Sequence, residues 1–169
     1  LRDPDTIMVK ESPLMGQYLD IDRPGTLLNA GAASGLGHGM GVALGAQLAA
    51  PGKLVIGTEG DGAYMFNVPT ACHYVAAEQN LPILWVVFNN QHWQAVHRAT
   101  LGLEPDGYAA KANRQPLTHF TVEQHYEKAV EVSGGAGFRV TESQDLMSTL
   151  DKALEVVTSE KRQALVNVV

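Results

Sequence analysis

A carboxylate and a pair of amides, each placed where an apolar run stops, are the residues of this sequence best suited to chemistry. Gly60-Asp61-Gly62 follows the run that begins at Leu54-Val55-Ile56, and Asn89-Asn90 follows Ile83-Leu84-Trp85-Val86-Val87-Phe88, with twenty-six residues between the two clusters. Apolar runs bounded in this way read as buried strands, so both polar clusters fall at strand ends. In a doubly wound sheet, neighbouring parallel strands deliver their carboxyl ends to one edge, where ligands bind. A carboxylate oxygen and an amide oxygen are hard donors of the kind Mg²⁺ takes, and magnesium commonly shares its shell with substrate phosphates. The intervening length fits one crossover helix and the next strand.

The elements that must position these residues alternate. Strands are predicted at Ile7–Val9, Thr26–Asn29, Lys53–Thr58, Leu81–Phe88, Phe138–Val140 and Ala164–Val169. Helices are predicted at residues 14–19, over VALGAQLAA before Pro51-Gly52, at Asn67–Gln79 with Val68, Ala71, Cys72, Val75 and Ala76 inward, at Val122–Val132, and at Ser143–Val157 with Ser143 as N-cap. Residues 89–120 are polar and turn-rich and read as one long irregular segment, which in a compact domain is usually functional or shaped by a partner. The alternation gives an α/β class: a three-layer sandwich with a mostly parallel sheet of about six strands and helices on both faces. The glycine-rich run Gly31–Gly41 is not a dinucleotide fingerprint, because counting from Gly35 or Gly37 puts Met40 or Val42 where the third glycine belongs. Gly52-Lys53 opens a strand, so it is not a P-loop either.

The chain has 169 residues, 45% hydrophobic and 18% charged, the balance of one folded domain over residues 1–169. A formal charge of −6 without any basic run argues against nucleic acid as a partner. No apolar run reaches the roughly 18 residues of a membrane span. Cys72 is the only cysteine and the opening LRDPDTIMVK is polar, which together point to reducing, cytoplasmic surroundings.

Three features resemble the C-terminal, diphosphate-binding domain of thiamine diphosphate-dependent enzymes of the acetolactate synthase and benzoylformate decarboxylase group. They are the spaced pair Gly60-Asp61-Gly62 and Asn89-Asn90, the small-residue block GAASGLGHGMGVALGAQLA at 31–49, and the order of elements; KESP at 10–13 and RPGTLLNAGAASGLG at 23–37 lean toward the benzoylformate decarboxylase branch. The resemblance implies Mg²⁺ held by Asp61, by the side-chain oxygen of Asn90 and by the main-chain carbonyl of His92. It implies diphosphate against Gly60, Gly62 and Ala63, with Trp93 beside it. It also implies Leu36 beneath a bent cofactor, next to Gly35, and the carbonyl of Ser34 on the cofactor's amine. Val96 and His97 would line the substrate pocket. Ala63 departs from the family's usual small hydroxyl residue, as do Pro13 and Leu14 from its hydroxyl residues nearby.

No catalytic residue is expected in this chain. The family's activating glutamate lies in a pyrimidine-binding domain of the same or another chain, so these residues are a fragment or subunit of a larger enzyme that assembles as a dimer or tetramer and acts on 2-oxo acids by decarboxylation or carboligation. The other reading is a non-catalytic module, either nucleotide-binding or kept for assembly. Blander readings stand beside these: Asp61 and Asn89-Asn90 as turn residues, Leu36 as core, Glu59 as a surface or ion-paired residue, and His92, His97, His119 and His125 as solvated or packed histidines.

Overall fold

Strands in this chain are short apolar runs with β-branched residues, and each is flanked by a breaker that fixes where the next helix starts. The computed structural model describes residues 3–11, 14–29 and 35–169. It divides into two units, Leu1–Asn89 with His125–Val169, and Asn90–Gln124. In the first unit, β1 (Ile7–Glu11), β2 (Leu27–Asn29), β3 (Val55–Gly60), β4 (Ile83–Phe88), β5 (Ala136–Val140) and β6 (Ala164–Val168) form one sheet in the order β2-β1-β3-β4-β6-β5. Every pairing is parallel, as the sequence alternation requires.

Side chains alternate across a strand, so a sheet buried on both faces needs two apolar sets. Val9, Val55, Ile83, Trp85, Val87 and Leu165 pack on one face against Met40, Ala43 and Leu44 of α1 (Gly39–Ala49), Ala76 and Val130. Met8, Ile56, Leu84, Val86 and Val166 pack on the other against Ala153, Val156 and Val157 of α7 (Leu146–Thr158). The three-layer expectation holds. Among the described residues no helix is long and apolar enough to cross a membrane.

The structure corrects the sequence reading at five places. β3 runs on through Glu59 and Gly60, and the stretch read as an acidic turn is a short helix, α2 (Asp61–Phe66). The next helix, α3 (Pro69–Glu78), starts after Val68, which takes a left-handed φ of 52°, with Pro69 in its first turn, where a missing N–H costs nothing. That kink rotates α3 so that His73 and Ala76 face inward while Val68 and Val75 are exposed. The helix expected over 122–132 is only α6 (Glu127–Glu131), and Ser143 lies in a 3₁₀ turn ahead of α7 without capping it by a side-chain hydrogen bond. The segment expected to be irregular carries α4 (Gln94–Leu103) and α5 (Tyr108–Ala112), which constitute most of the second unit.

Where the strands begin, α3, α6 and α7 are each followed by a left-handed residue: Asn80 (φ 52°), Gly134 (φ 73°) and Lys161 (φ 56°). Leu81 N–H then reaches back to Ala76 O at 2.8 Å and Gly135 N–H to Val130 O at 3.0 Å, satisfying carbonyls that a helix end leaves open.

Candidate functional site

The chain turns left from β1 to β2 but right from β3 to β4, so the sheet reverses between β1 and β3, and their carboxyl ends border the crevice where such folds bind ligands. The two strands end in register with Glu11 opposite Glu59. Two carboxylates on neighbouring strands and out of water cannot both ionise. Glu59 is fully buried. Burial, followed by the charge of Glu11, pushes its carboxyl group far above the usual range, so it is the neutral partner. Burial also acts to raise Glu11, but the N–H of Gly39, the amide of Asn67 and the N–H of Gly37 outweigh it and hold Glu11 low, as the anion. The expectation of a surface or ion-paired Glu59 is therefore wrong, because the residue lies inside a central strand.

Glu11 uses both oxygens. Oε1 accepts from Gly37 N–H at 2.5 Å and His38 N–H at 3.3 Å, and Oε2 accepts from Gly39 N–H at 2.6 Å and Asn67 Nδ2 at 3.0 Å. Asn67, just past α2, also donates to Glu59 Oε2 at 3.2 Å and accepts from Met40 N–H at 2.9 Å. Only glycine fits the turn. Gly37 has φ 89°, and a Cβ there would lie 2.5 Å from Phe66 O; a Cβ on Gly39 would collide with Glu59 Oε1 and lie 2.9 Å from Glu11 Oε2. Gly35 and Leu36 sit immediately before this turn, both exposed, so Leu36 is not core. Ser34 lies outside the described residues.

One residue beyond β3, Asp61 is buried at the start of α2, with Gly62 and Ala63 buried behind it and Gly62 N–H donating to Asp61 Oδ1 at 2.8 Å. Tyr64 follows on the same helix. Its hydroxyl lies 2.7 Å from His73 Nε2, and His73 Nδ1 lies 2.8 Å from Gln163 Oε1. Gln163 Oε1 also accepts from Trp85 Nε1, so Nδ1 of His73 carries the proton and Nε2 accepts from Tyr64. Burial lowers His73 from an ordinary 6.5 to about 4, which keeps it neutral. Tyr126 packs edge-on to Tyr64 at 5.1 Å, and burial followed by the charge of Asp61 pushes its phenol well upward.

The second unit opens at Asn90, two residues past Phe88, the β4 residue in register with Gly60. The exposed Asn90 accepts His92 N–H on its Oδ1 at 3.0 Å. Trp93 N–H donates to Thr118 O at 2.8 Å and Phe120 N–H to Gln91 O at 2.9 Å, closing the unit around its two helices. The ring of His92 stacks on His119 at 4.1 Å and lies 4.9 Å from His97, and Trp93 meets Phe120 edge-on. Val96 is exposed on α4 and His97 is half-buried.

Of the residues singled out in the sequence, Gly35, Leu36, Gly60, Asp61, Gly62 and Ala63 therefore belong to the first unit, and Asn90, His92, Trp93, Val96 and His97 to the second. Glu11 and Asn67 were missed. The available signal was a glutamate closing each of two apolar runs, Glu11 before Ser12-Pro13 and Glu59 before Gly60.

Residues 11–168 match the thiamine pyrophosphate enzyme C-terminal TPP binding domain. The chain is 30% identical over 152 residues to a 2-hydroxyacyl-CoA lyase of Oryza sativa subsp. japonica, which covers 88% of this chain and 24% of that protein. It is 29% identical over 154 residues to an oxalyl-CoA decarboxylase of Escherichia coli (strain K12), covering 89% and 24%. A thiamine diphosphate-dependent 4-hydroxybenzoylformate decarboxylase of Rhodococcus jostii RHA1 has the same fold, with TM-score 0.79 at 24% identity over 98% of this chain and 29% of that one. The chain thus spans about a quarter of the length of the curated relatives it matches. With the family match running over residues 11–168, from the last residue of β1 to the last of β6, this chain belongs to the C-terminal TPP-binding domain family of thiamine pyrophosphate enzymes.

Proposed function

We propose that residues 1–169 are one domain of a larger enzyme, and that they hold thiamine diphosphate through Mg²⁺ for a decarboxylase of 2-oxo acids or an acetolactate synthase-like carboligase. The observation that carries this reading is Asp61, a buried carboxylate at the first residue past a central strand, beside the point where the sheet reverses. The donor set fits the metal. The Asp61 carboxylate, the Asn90 side-chain oxygen and the His92 main-chain carbonyl are all hard oxygen donors of the kind Mg²⁺ takes. Among the described residues no group of three His, Cys, Asp or Glu is arranged so that it could by itself hold a metal ion.

When bound, the cofactor supplies the electron sink for cleaving or forming the bond next to a carbonyl. The chain's own residues bind and orient. Gly60, Gly62 and Ala63 are small enough for a diphosphate to approach the backbone. Leu36 offers an exposed apolar surface for the cofactor to bend over, next to the exposed Gly35, and the carbonyl of Ser34 would hold the cofactor's amine. Trp93, Val96 and His97 border the substrate. The glutamate that activates the cofactor comes from a pyrimidine-binding domain of the same or another chain, within a dimer or tetramer.

Calorimetric titration of thiamine diphosphate, with and without Mg²⁺, into these residues joined by their pyrimidine-binding domain tests this reading. Asp61→Ala is expected to weaken binding by about 100-fold. Unchanged affinity removes the metal assignment, and a nucleotide that copurifies in place of the cofactor favours the non-catalytic nucleotide-binding module instead.

A further inference from the structure

Four pieces of chain far apart in sequence meet at one side chain: the end of β1 through Glu11, the turn Gly37–Gly39 that opens α1, Asn67 at the end of α2, and the end of β3 through Glu59. We propose that Glu11 is a positioning residue whose carboxylate clamps the Gly37–Gly39 turn to the end of α2, and so sets the cofactor affinity of the Gly35–Leu36 and Asp61–Ala63 segments without touching the cofactor. The inference rests on the proposed function for those two segments.

Two observations separate this cluster from ordinary helix capping. A cap satisfies one or two N–H groups from a side chain next to the helix in sequence, whereas Glu11 takes three N–H groups and an amide from residues 26 to 56 positions away. In addition, Glu59 Oε1 occupies the space that a Cβ on Gly39 would need, so the turn is held by Glu11 and can carry no side chain toward Glu59. The grip also needs the negative charge. Glutamine at position 11 keeps an acceptor for Gly37 but turns an N–H₂ toward Gly39 N–H or Asn67 Nδ2, where two donors would meet. The Gly37 and Gly39 bonds, at 2.5 and 2.6 Å, are both shorter than an ordinary N–H···O hydrogen bond, as an ionised acceptor favours.

The clamp is read first without cofactor, in the full chain labelled with [¹⁵N]glycine. The amide protons of Gly37 and Gly39 are expected far downfield and are expected to move upfield in Glu11→Gln. Thiamine diphosphate affinity in Mg²⁺ is then expected to fall roughly tenfold or more in Glu11→Gln, and to recover in part in Glu11→Asp, which restores the charge on a shorter arm. His73→Gln, a buried change outside the clamp, controls for lost stability and is expected to leave affinity unchanged. If Glu11→Gln does not fold, Asn67→Ser removes one arm and is held to the same two readouts. Glycine amides that stay in place overturn the clamp. Amides that move while affinity is unchanged overturn its link to binding and leave the proposed function intact. Wild-type protein that binds no cofactor with the pyrimidine-binding domain present overturns the proposed function, and this inference with it.

Discussion

His73 shows how one buried residue ties the stability of this chain to pH. Its ring is neutral in the fold, donating to Gln163 and accepting from Tyr64, with Trp85 edge-on at 5.8 Å. Its folded value near 4 lies below the ordinary 6.5, so between these limits the unfolded chain binds the extra proton. The contribution is complete above 6.5 and drains away as pH falls toward 4, with a span of about 3 kcal/mol. Urea unfolding at pH 7.5 and pH 4.5 is expected to show a loss in the wild type that is about 2 to 3 kcal/mol larger than in His73→Gln, which cannot titrate. Equal losses would show that the ring is charged or solvated in the fold. His73 could not be read as an inward residue from the sequence. The apolar stripe Val68, Ala71, Cys72, Val75 pointed elsewhere, and only the left-handed turn at Val68 rotates the helix to bury it.

That turn sets the problem at the scale of elements. Val68 is β-branched and more than half exposed, yet holds φ 52°, a region costing such a residue roughly 1–2 kcal/mol. It joins α2, which carries Asp61, to α3, and local strain of this kind persists only where its surroundings over-determine it. Val68→Gly is expected to raise stability to urea by about 1 kcal/mol. A decrease would mean that the exposed valine side chain is held by contacts worth more than the strain.

Most elements were legible because their apolar runs have strand length and clear breakers. α2 was not, because two glycines around an aspartate favour a turn on local propensity, and only the burial of Asp61, Gly62, Ala63 and Tyr64 pays back the helix. α4 and α5 were hidden by Gly102 and Pro105-Asp106-Gly107, which look like loop residues but close one helix and open the next. The Glu11–Glu59 pair was out of reach for a different reason. Each glutamate is visible, but that β1 and β3 are neighbours, and in what register, is a tertiary fact.

At the scale of the whole molecule, the candidate site residues are divided between two units, and the chain covers about a quarter of its relatives' length. Large apolar side chains on the first unit, among them Leu36, Leu48, Phe66 and Tyr74, are more than half exposed. A cofactor held by one wall alone retains much of its freedom and its water. The 169-residue chain by itself is therefore expected to bind thiamine diphosphate at least about tenfold more weakly than the same residues joined by a pyrimidine-binding domain, as measured by calorimetry in Mg²⁺. Equal affinity would mean that the diphosphate contacts alone account for binding.

The left-handed residues after α3, α6 and α7 have a practical consequence. Asn80 and Lys161 are exposed at the rim where strands start, while Asp61 lies at the rim where they stop, a separation of roughly 20 Å for a six-residue strand. A label attached at Lys161 would be remote enough to leave ligand entry unobstructed, so that rim is a natural attachment point for a tag or a surface tether.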